Sequence, residues 1–155
     1  MSKFKAAMFD MDGLLIDSML HWIDADHSLF KELGIHLTED IIRRLTGRSE
    51  QENMAWLKKH FNLVGSMEEL LEKRKEFTDT IYTHKSCVMP GVHELITKIK
   101  NKNIKLSITS GAPLHQIELV MDRFNWHEHF DVFISSDHVN FVGKPDPAIY
   151  DYTAK

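Results

Sequence analysis

Phe4-Lys5-Ala6-Ala7-Met8-Phe9-Asp10-Met11-Asp12-Gly13-Leu14-Leu15-Ile16-Asp17-Ser18 carries an apolar run directly into two aspartates spaced i, i+2, with a glycine behind them. Such a run reads as a strand over 4–9. The chain is expected to leave the strand at Asp10, with Gly13 supplying the permissive backbone that follows. Two carboxylates then stand at the carboxyl end of a strand, where open α/β sheets place their ligands. One can attack as a nucleophile while the other moves a proton. A polar strand end running into a turn has the same composition, because Asp and Gly are common in turns.

Two further segments bear on that choice. Ile104-Lys105-Leu106-Ser107-Ile108-Thr109-Ser110-Gly111-Ala112-Pro113 reads as a strand over 104–109 that ends in hydroxyl residues and a glycine. A helix follows, with Pro113 near its first position and Leu114, Ile117, Met121 and Phe124 at helical spacing. Hydroxyls and free amides at a helix start form an anion site; the same residues also serve ordinary capping and turn chemistry. Gly143-Lys144-Pro145-Asp146-Pro147 confines one lysine between prolines. Its ammonium is a compact charge that can neutralise both a carboxylate and a phosphate; a proline-rich turn with a solvated lysine is the alternative.

Taken in order, D-x-D-G-x-x-x-D-S, T-S-G and G-K-P-D-P resemble the haloacid dehalogenase-like hydrolase superfamily. The likeness is to its helical-cap branch, which includes β-phosphoglucomutases, phosphoglycolate phosphatases and pseudouridine-5'-phosphatases, and it covers nearly the whole chain. The resemblance implies an α/β fold: a doubly wound parallel, Rossmann-like sheet with a small α-helical cap inserted after the first motif. It implies that Asp10 attacks phosphorus to give an aspartyl-phosphate. Asp12 would be general acid for the leaving oxygen, then general base for water. Asp10 and the backbone carbonyl of Asp12 would bind Mg²⁺. Thr109 and the Ser110 amide, with Gly111 beside them, would hold the phosphoryl group, and Lys144 would pair with Asp10 and the phosphate. Charge spread over a phosphoryl group in transit is stabilised by such fixed donors and cations. Dehalogenases of this kind have no aspartate two residues after the nucleophile and need no metal, so Asp12 favours phosphoryl transfer.

The family also carries a fourth motif, an acidic pair after a further strand, one acid of which completes the Mg²⁺ site. The sequence given ends at Tyr152-Thr153-Ala154-Lys155, inside the helix expected after Pro147. The core is therefore expected to be incomplete at its C-terminal end, with Asp137 and Asp146 as candidate substitute ligands. Mg²⁺ keeps several waters but prefers more than one carboxylate. A non-catalytic fragment that keeps the phosphate pocket is the alternative, with an open edge at the strand over 131–135 inviting pairing.

The 155 residues are 43% hydrophobic with a net charge of −4, enough for a folded core. Acids and bases are interleaved, so neither a nucleic-acid tail nor a polybasic membrane patch is expected. Cys87 stands alone, which excludes an intramolecular disulfide. With no signal peptide or long apolar run, a cytoplasmic monomer or homodimer is expected. The ten histidines are scattered and read as ordinary side chains.

The cap is expected over 16–84 and the core over 1–15 and 85–155. Cap helices should start at Ser18 and run to Leu33 before Gly34, at Thr38, and at the capping boxes Ser49/Glu52 and Ser66/Glu69, with ends near Leu45, His60 and Tyr82. Val92, Leu95, Ile96 and Ile99 form the stripe of a core helix. Arg48, at the cap turn Gly47-Arg48-Ser49, is a candidate substrate contact. By the resemblance, Trp22 stands where mutases carry a helper histidine, and Glu50 where they place a substrate-binding arginine. The reading is a Mg²⁺-dependent phosphomonoesterase acting on a small sugar-like or nucleoside-like phosphate, with a phosphosugar mutase as the alternative.

Overall fold

A parallel three-stranded sheet in the order β1-β2-β3 organises the chain. The computed structural model describes residues 4–155, so the first three residues of the expected 1–15 core segment lie outside the described residues. β1 (Ala6–Phe9) is followed by four helices: α1 (Met19–Glu32), α2 (Glu39–Leu45), α3 (Glu50–Phe61) and α4 (Met67–Thr80). A π-helical turn (Ile81–Lys85) returns the chain to α5 (Val92–Lys100), β2 (Lys105–Thr109), α6 (Leu114–Phe124) and β3 (Val132–Ile134). A 3₁₀ turn (Ser136–Val139) and α7 (Ala148–Thr153) complete it. Parallel strands cannot be joined by a hairpin and need a crossover. The register pairs Phe9 with Ile108 and Thr109 with Ile134, so all three strands end at one level.

Two apolar clusters hold the layers. One joins sheet to helices through Met11, Ile16, Ile96, Leu106, Ile117 and Trp126. The other lies within α1–α4 and includes Phe30, Met54, Leu57 and Leu70. The two chain segments that link core and insert pair with each other: Ile16 bridges Val88, and Asp17 N–H donates to the Cys87 carbonyl at 3.0 Å.

Local chemistry explains most helix ends. Thr38 caps the Ile41 amide, and both capping boxes form as the spacing predicts. Gly34 lies past α1 at φ +70°, the left-handed region that glycine enters without strain. Ser18 precedes α1 as expected, and its hydroxyl donates to Asp12 Oδ1 at 2.6 Å. Two expectations change. The last cap helix gives way after Thr80 to the π turn, whose Tyr82 and His84 carbonyls are taken up by Arg123 at 3.0 and 3.1 Å. Leu95 faces solvent, while Val92 and Ile96 alone are the buried part of the α5 stripe.

α4 is tied to its neighbours by one buried guanidinium. Arg74 lies 2.9 Å from Glu50 Oε1 on α3 and 3.0 Å from Asp26 Oδ1 on α1, and stacks over the Trp22 ring at 5.0 Å. At the other side of the molecule, Asp131 accepts from the Leu106 amide at 2.8 Å and from Lys105 Nζ at 2.5 Å, which fixes β3 beside β2. The Lys105 hydrogen bond, then that amide, hold the Asp131 carboxyl below its ordinary range.

Arg74→Met should lower unfolding free energy by roughly 3 kcal/mol, because it strands two carboxylates inside the insert; a loss under about 1 kcal/mol in denaturant titration would contradict the staple. A depressed carboxyl contributes stability above its unfolded pKa and loses it as pH falls through its folded one. Asp131→Asn should therefore cost under about 1 kcal/mol at neutral pH. The difference from wild type should shrink as the pH is taken below the carboxylate range, and a constant difference would count against the Lys105–Asp131 account.

Candidate active site

Beyond the carboxyl ends of β1 and β2, a cavity of about 360 Å³ lies between the sheet and the helical insert. Asp10, Asp12, Ser110, Gly111 and Lys144 line it from the core, and Arg48, Glu50 and Arg74 line it from the insert. The sequence segments that carried the motifs thus meet in one place.

β1 stops at Phe9, and the next residues wind tightly rather than continuing the strand. The Met11 carbonyl accepts from the amides of Leu15 at 2.9 Å and Ile16 at 3.2 Å, and Gly13 N–H donates to the Ile16 carbonyl at 2.8 Å. Gly13 has φ +74°, and a Cβ there would press on the Met19 side chain at 2.9 Å. This winding leaves both aspartates lining the cavity. Asp10 Oδ1 accepts from the Met11 amide at 2.9 Å and lies 3.0 Å from Lys144 Nζ. Lys144 also donates to the Thr109 carbonyl at 3.0 Å, so one ammonium ties β1, β2 and the 143–147 segment together.

Asp12 lives in a different environment. Its Oδ1 accepts from the Ser18 hydroxyl at 2.6 Å and the Tyr82 hydroxyl at 3.2 Å. Burial raises its carboxyl above the ordinary range; the two hydroxyl donors pull the other way, and the Asp10 charge adds to the rise. Burial likewise pushes the Tyr82 phenol up, which keeps it a donor. Glu50 is raised by burial despite its Arg74 partner.

The hydroxyl pair at the end of β2 departs from expectation. Thr109 Oγ1 lies 3.2 Å from Thr153 Oγ1 of α7, and Thr153 spends its own proton on the Ile149 carbonyl at 2.7 Å, so Thr109 donates away from the cavity. The Ser110 amide is also spent, on the Ile134 carbonyl at 2.9 Å. Successive side chains along an extended chain point to opposite sides. Ser110, not Thr109, lines the cavity, and its Oγ accepts from the Ala112 amide at 3.1 Å.

The substitute ligands Asp137 and Asp146 are elsewhere too. Asp137 accepts from the Leu114 amide at 2.6 Å and the Ser135 hydroxyl at 2.9 Å, and faces a separate depression. It thereby occupies the first amide of α6. Asp146 accepts from the Ala148 amide at 2.9 Å at the start of α7 and is exposed.

Arg48 lines the cavity from the insert and is exposed, its Nε donating to the Arg44 carbonyl at 3.1 Å. Beside it the insert rests on the core: the Ser49 hydroxyl donates to the Phe141 carbonyl at 2.7 Å. Gly143 leaves no room for a side chain here, since a Cβ would collide with Glu52 and with the Ser49 amide. Tyr82, Arg74, Asn53 and Gln116 also line the cavity, and sequence reading did not select them. Each occupies an unremarkable position in a helical or apolar run, with no spacing to mark it.

Among the described residues no group of three or more His, Cys, Asp or Glu side chains is placed to hold a metal ion. Asp10 nevertheless offers a half-exposed carboxylate with only Oδ1 occupied, while the Asp12 carboxyl is engaged by hydroxyls. That donor set fits Mg²⁺, which keeps several waters and binds through one or two carboxylates plus a substrate phosphate.

Comparison with known proteins agrees with the geometry. Residues 7–155 match the haloacid dehalogenase-like hydrolase family. The phosphorylated carbohydrates phosphatase of Thermotoga maritima is 31% identical over 146 residues, spanning 94% of this chain and 67% of that protein. Hexitol phosphatase B of Escherichia coli is 29% identical over 153 residues, spanning 97% of this chain and 68% of that one. The crystal structure of CbbY from Rhodobacter sphaeroides in complex with phosphate shares the fold, with TM-score 0.79 at 24% identity over 96% of this chain and 70% of that chain. With its paired aspartates, its lysine and its helical insert, the chain belongs to the haloacid dehalogenase-like hydrolases.

Proposed function

We propose that the protein hydrolyses the phosphate monoester of a small sugar-like or polyol-like metabolite through an aspartyl-phosphate on Asp10. The observation that carries this reading is the pair of aspartates in one cavity with opposite surroundings: Asp10 half-exposed against an ammonium, Asp12 desolvated and raised. Two carboxyls pushed apart in this way can divide the roles of nucleophile and acid. Relatives named for phosphorylated carbohydrates and hexitols supply the substrate class.

In the first step an Asp10 oxygen forms a bond to phosphorus as the P–O ester bond breaks. Asp12 gives its proton to the departing alkoxide, so the alcohol leaves neutral. In the second step Asp12, now a carboxylate, takes a proton from water as that water attacks phosphorus. The P–O bond to Asp10 breaks, inorganic phosphate leaves, and both aspartates return to their starting states. Lys144 stays beside Asp10 throughout and offers positive charge to the phosphoryl oxygens. The Ser110 hydroxyl, just past β2, is the side-chain donor. Asp10 and the Asp12 carbonyl would hold Mg²⁺, which would supply further charge neutralisation to the phosphoryl group. Glu50 in the cavity wall disfavours the second phosphate that a mutase must hold, which favours hydrolysis.

Phosphate release from a panel of sugar and nucleoside monophosphates, with and without Mg²⁺, tests the reading. Release should require Mg²⁺ and fall about 10³-fold or more in Asp10→Asn; turnover retained in that variant would exclude the covalent route. The two neighbouring hydroxyls should separate in the same assay. Ser110→Ala should lower kcat about 10²-fold, whereas Thr109→Val should change it less than about tenfold. The reverse order would restore Thr109 to the phosphate site.

A further inference from the structure

Tyr82 reaches Asp12 from an unusual piece of backbone. Ile81–Lys85 is a π turn, in which the Ser86 amide donates to the Ile81 carbonyl at 2.9 Å. Such turns interrupt the α-helical ladder and recur at functional sites. A helix end leaves carbonyls without partners of its own. Here the carbonyls of Tyr82 and His84 accept from Nη1 and Nη2 of Arg123, at 3.0 and 3.1 Å. Nη1 also lies 3.5 Å from the Ser86 hydroxyl, and the guanidinium stands over the Phe124 ring at 5.0 Å. No carboxylate pairs with Arg123 among the described residues, so its donors are spent on the turn. The planar fork of a guanidinium suits this task, since it can hold two acceptors in one fixed geometry.

α6 grips the same segment at a second point. Gln116 and Arg123 are separated by about two helical turns, so they share one face of α6. Gln116 Nε2 donates to Thr78 Oγ1 at 2.9 Å and to Asp79 Oδ1 at 3.2 Å. Tyr82 follows between these two grips, fully buried, with its ring edge-on to Trp22 at 6.1 Å. Its backbone is thus tied to α6, while its hydroxyl donates to Asp12 Oδ1 at 3.2 Å. Arg123 itself lines no part of the cavity.

Resting on the hydrolase reading above, we infer that Arg123 is a positioning residue for the reaction: by holding the Tyr82 and His84 carbonyls it fixes the Tyr82 hydroxyl on Asp12, and so aims that carboxyl at the leaving oxygen. Its effect passes through the turn. Proton transfer demands close alignment of donor and acceptor, so a small displacement of the acid lowers the rate without weakening the hold on phosphate.

The test uses two phosphate esters that differ in their need for a proton. Sorbitol 6-phosphate loses an alkoxide that Asp12 must protonate, whereas p-nitrophenyl phosphate loses a phenolate that departs without one. Arg123→Met should lower kcat/KM for the first about tenfold and for the second less than about twofold, with the inhibition constant for inorganic phosphate little changed. Tyr82→Phe should show the same split. Both changes act on one hydroxyl, so the double variant should lose no more than about twofold beyond Tyr82→Phe alone. Arg123→Lys keeps the charge without the fork; it should show the split at smaller amplitude, and it carries the comparison if the methionine variant does not fold. Equal losses on the two esters, or losses that multiply in the double variant, would make Arg123 a structural residue only and overturn the inference. Hydrogen exchange of the Ser86 amide, followed by NMR, reads the turn without turnover, and Arg123→Met should speed it about tenfold while the β2 amides keep their rates. If wild-type protein hydrolyses neither ester and that exchange still responds, the hydrolase reading falls and the hold of Arg123 on the turn stands. An unchanged exchange rate overturns the inference whatever the turnover.

Discussion

One ammonium is the point on which the site depends. Lys144 Nζ lies 3.0 Å from Asp10 Oδ1 and 3.0 Å from the Thr109 carbonyl, so it holds the end of β1, the end of β2 and the 143–147 segment in register. The parallel pairing of β1 with β2 brings the first two to one level. The closeness of Gly143 to Ser49 and Glu52 then fixes where the helical insert can rest. Removing the charge would leave Asp10 without its counter-ion and the three segments without their common partner.

Around that point the fold gives two chemically identical side chains different properties. Asp10 is half exposed beside a cation. Asp12, two residues on, is drawn inward by Ser18 and Tyr82, and burial raises its carboxyl. Ser18 lies on the first link to the insert and Tyr82 on the turn that leads back from it, so the geometry of the acid is set by the same residues that join insert to core. The site is in this sense assembled by the insertion and not merely covered by it.

Much of this was legible in the sequence because it is local. The strand running into Asp10-Met11-Asp12-Gly13, the capping boxes at Ser49 and Ser66, and the helical stripe after Pro113 each follow from near-neighbour chemistry, and each stands in the structure. The errors arose where a local reading had a long-range competitor. Thr109 and Ser110 are adjacent hydroxyls, and their order along the strand decides which one faces the cavity. Asp137 has the look of a ligand at a strand end, yet the Leu114 amide and the Ser135 hydroxyl take it. Arg74, Asn53 and Gln116 could not be singled out, because nothing in a helical pattern distinguishes a buried polar side chain from a surface one.

The central claim is that Asp10 carries the phosphoryl group. Acid quenching during turnover of a sugar phosphate, followed by proteolysis and mass spectrometry, tests it most directly. The account predicts a phosphorylated peptide containing Asp10, labile to mild base and absent from Asp10→Asn. Turnover at an unchanged rate with no phosphorylated peptide, or with the phosphoryl group on another residue, would contradict it.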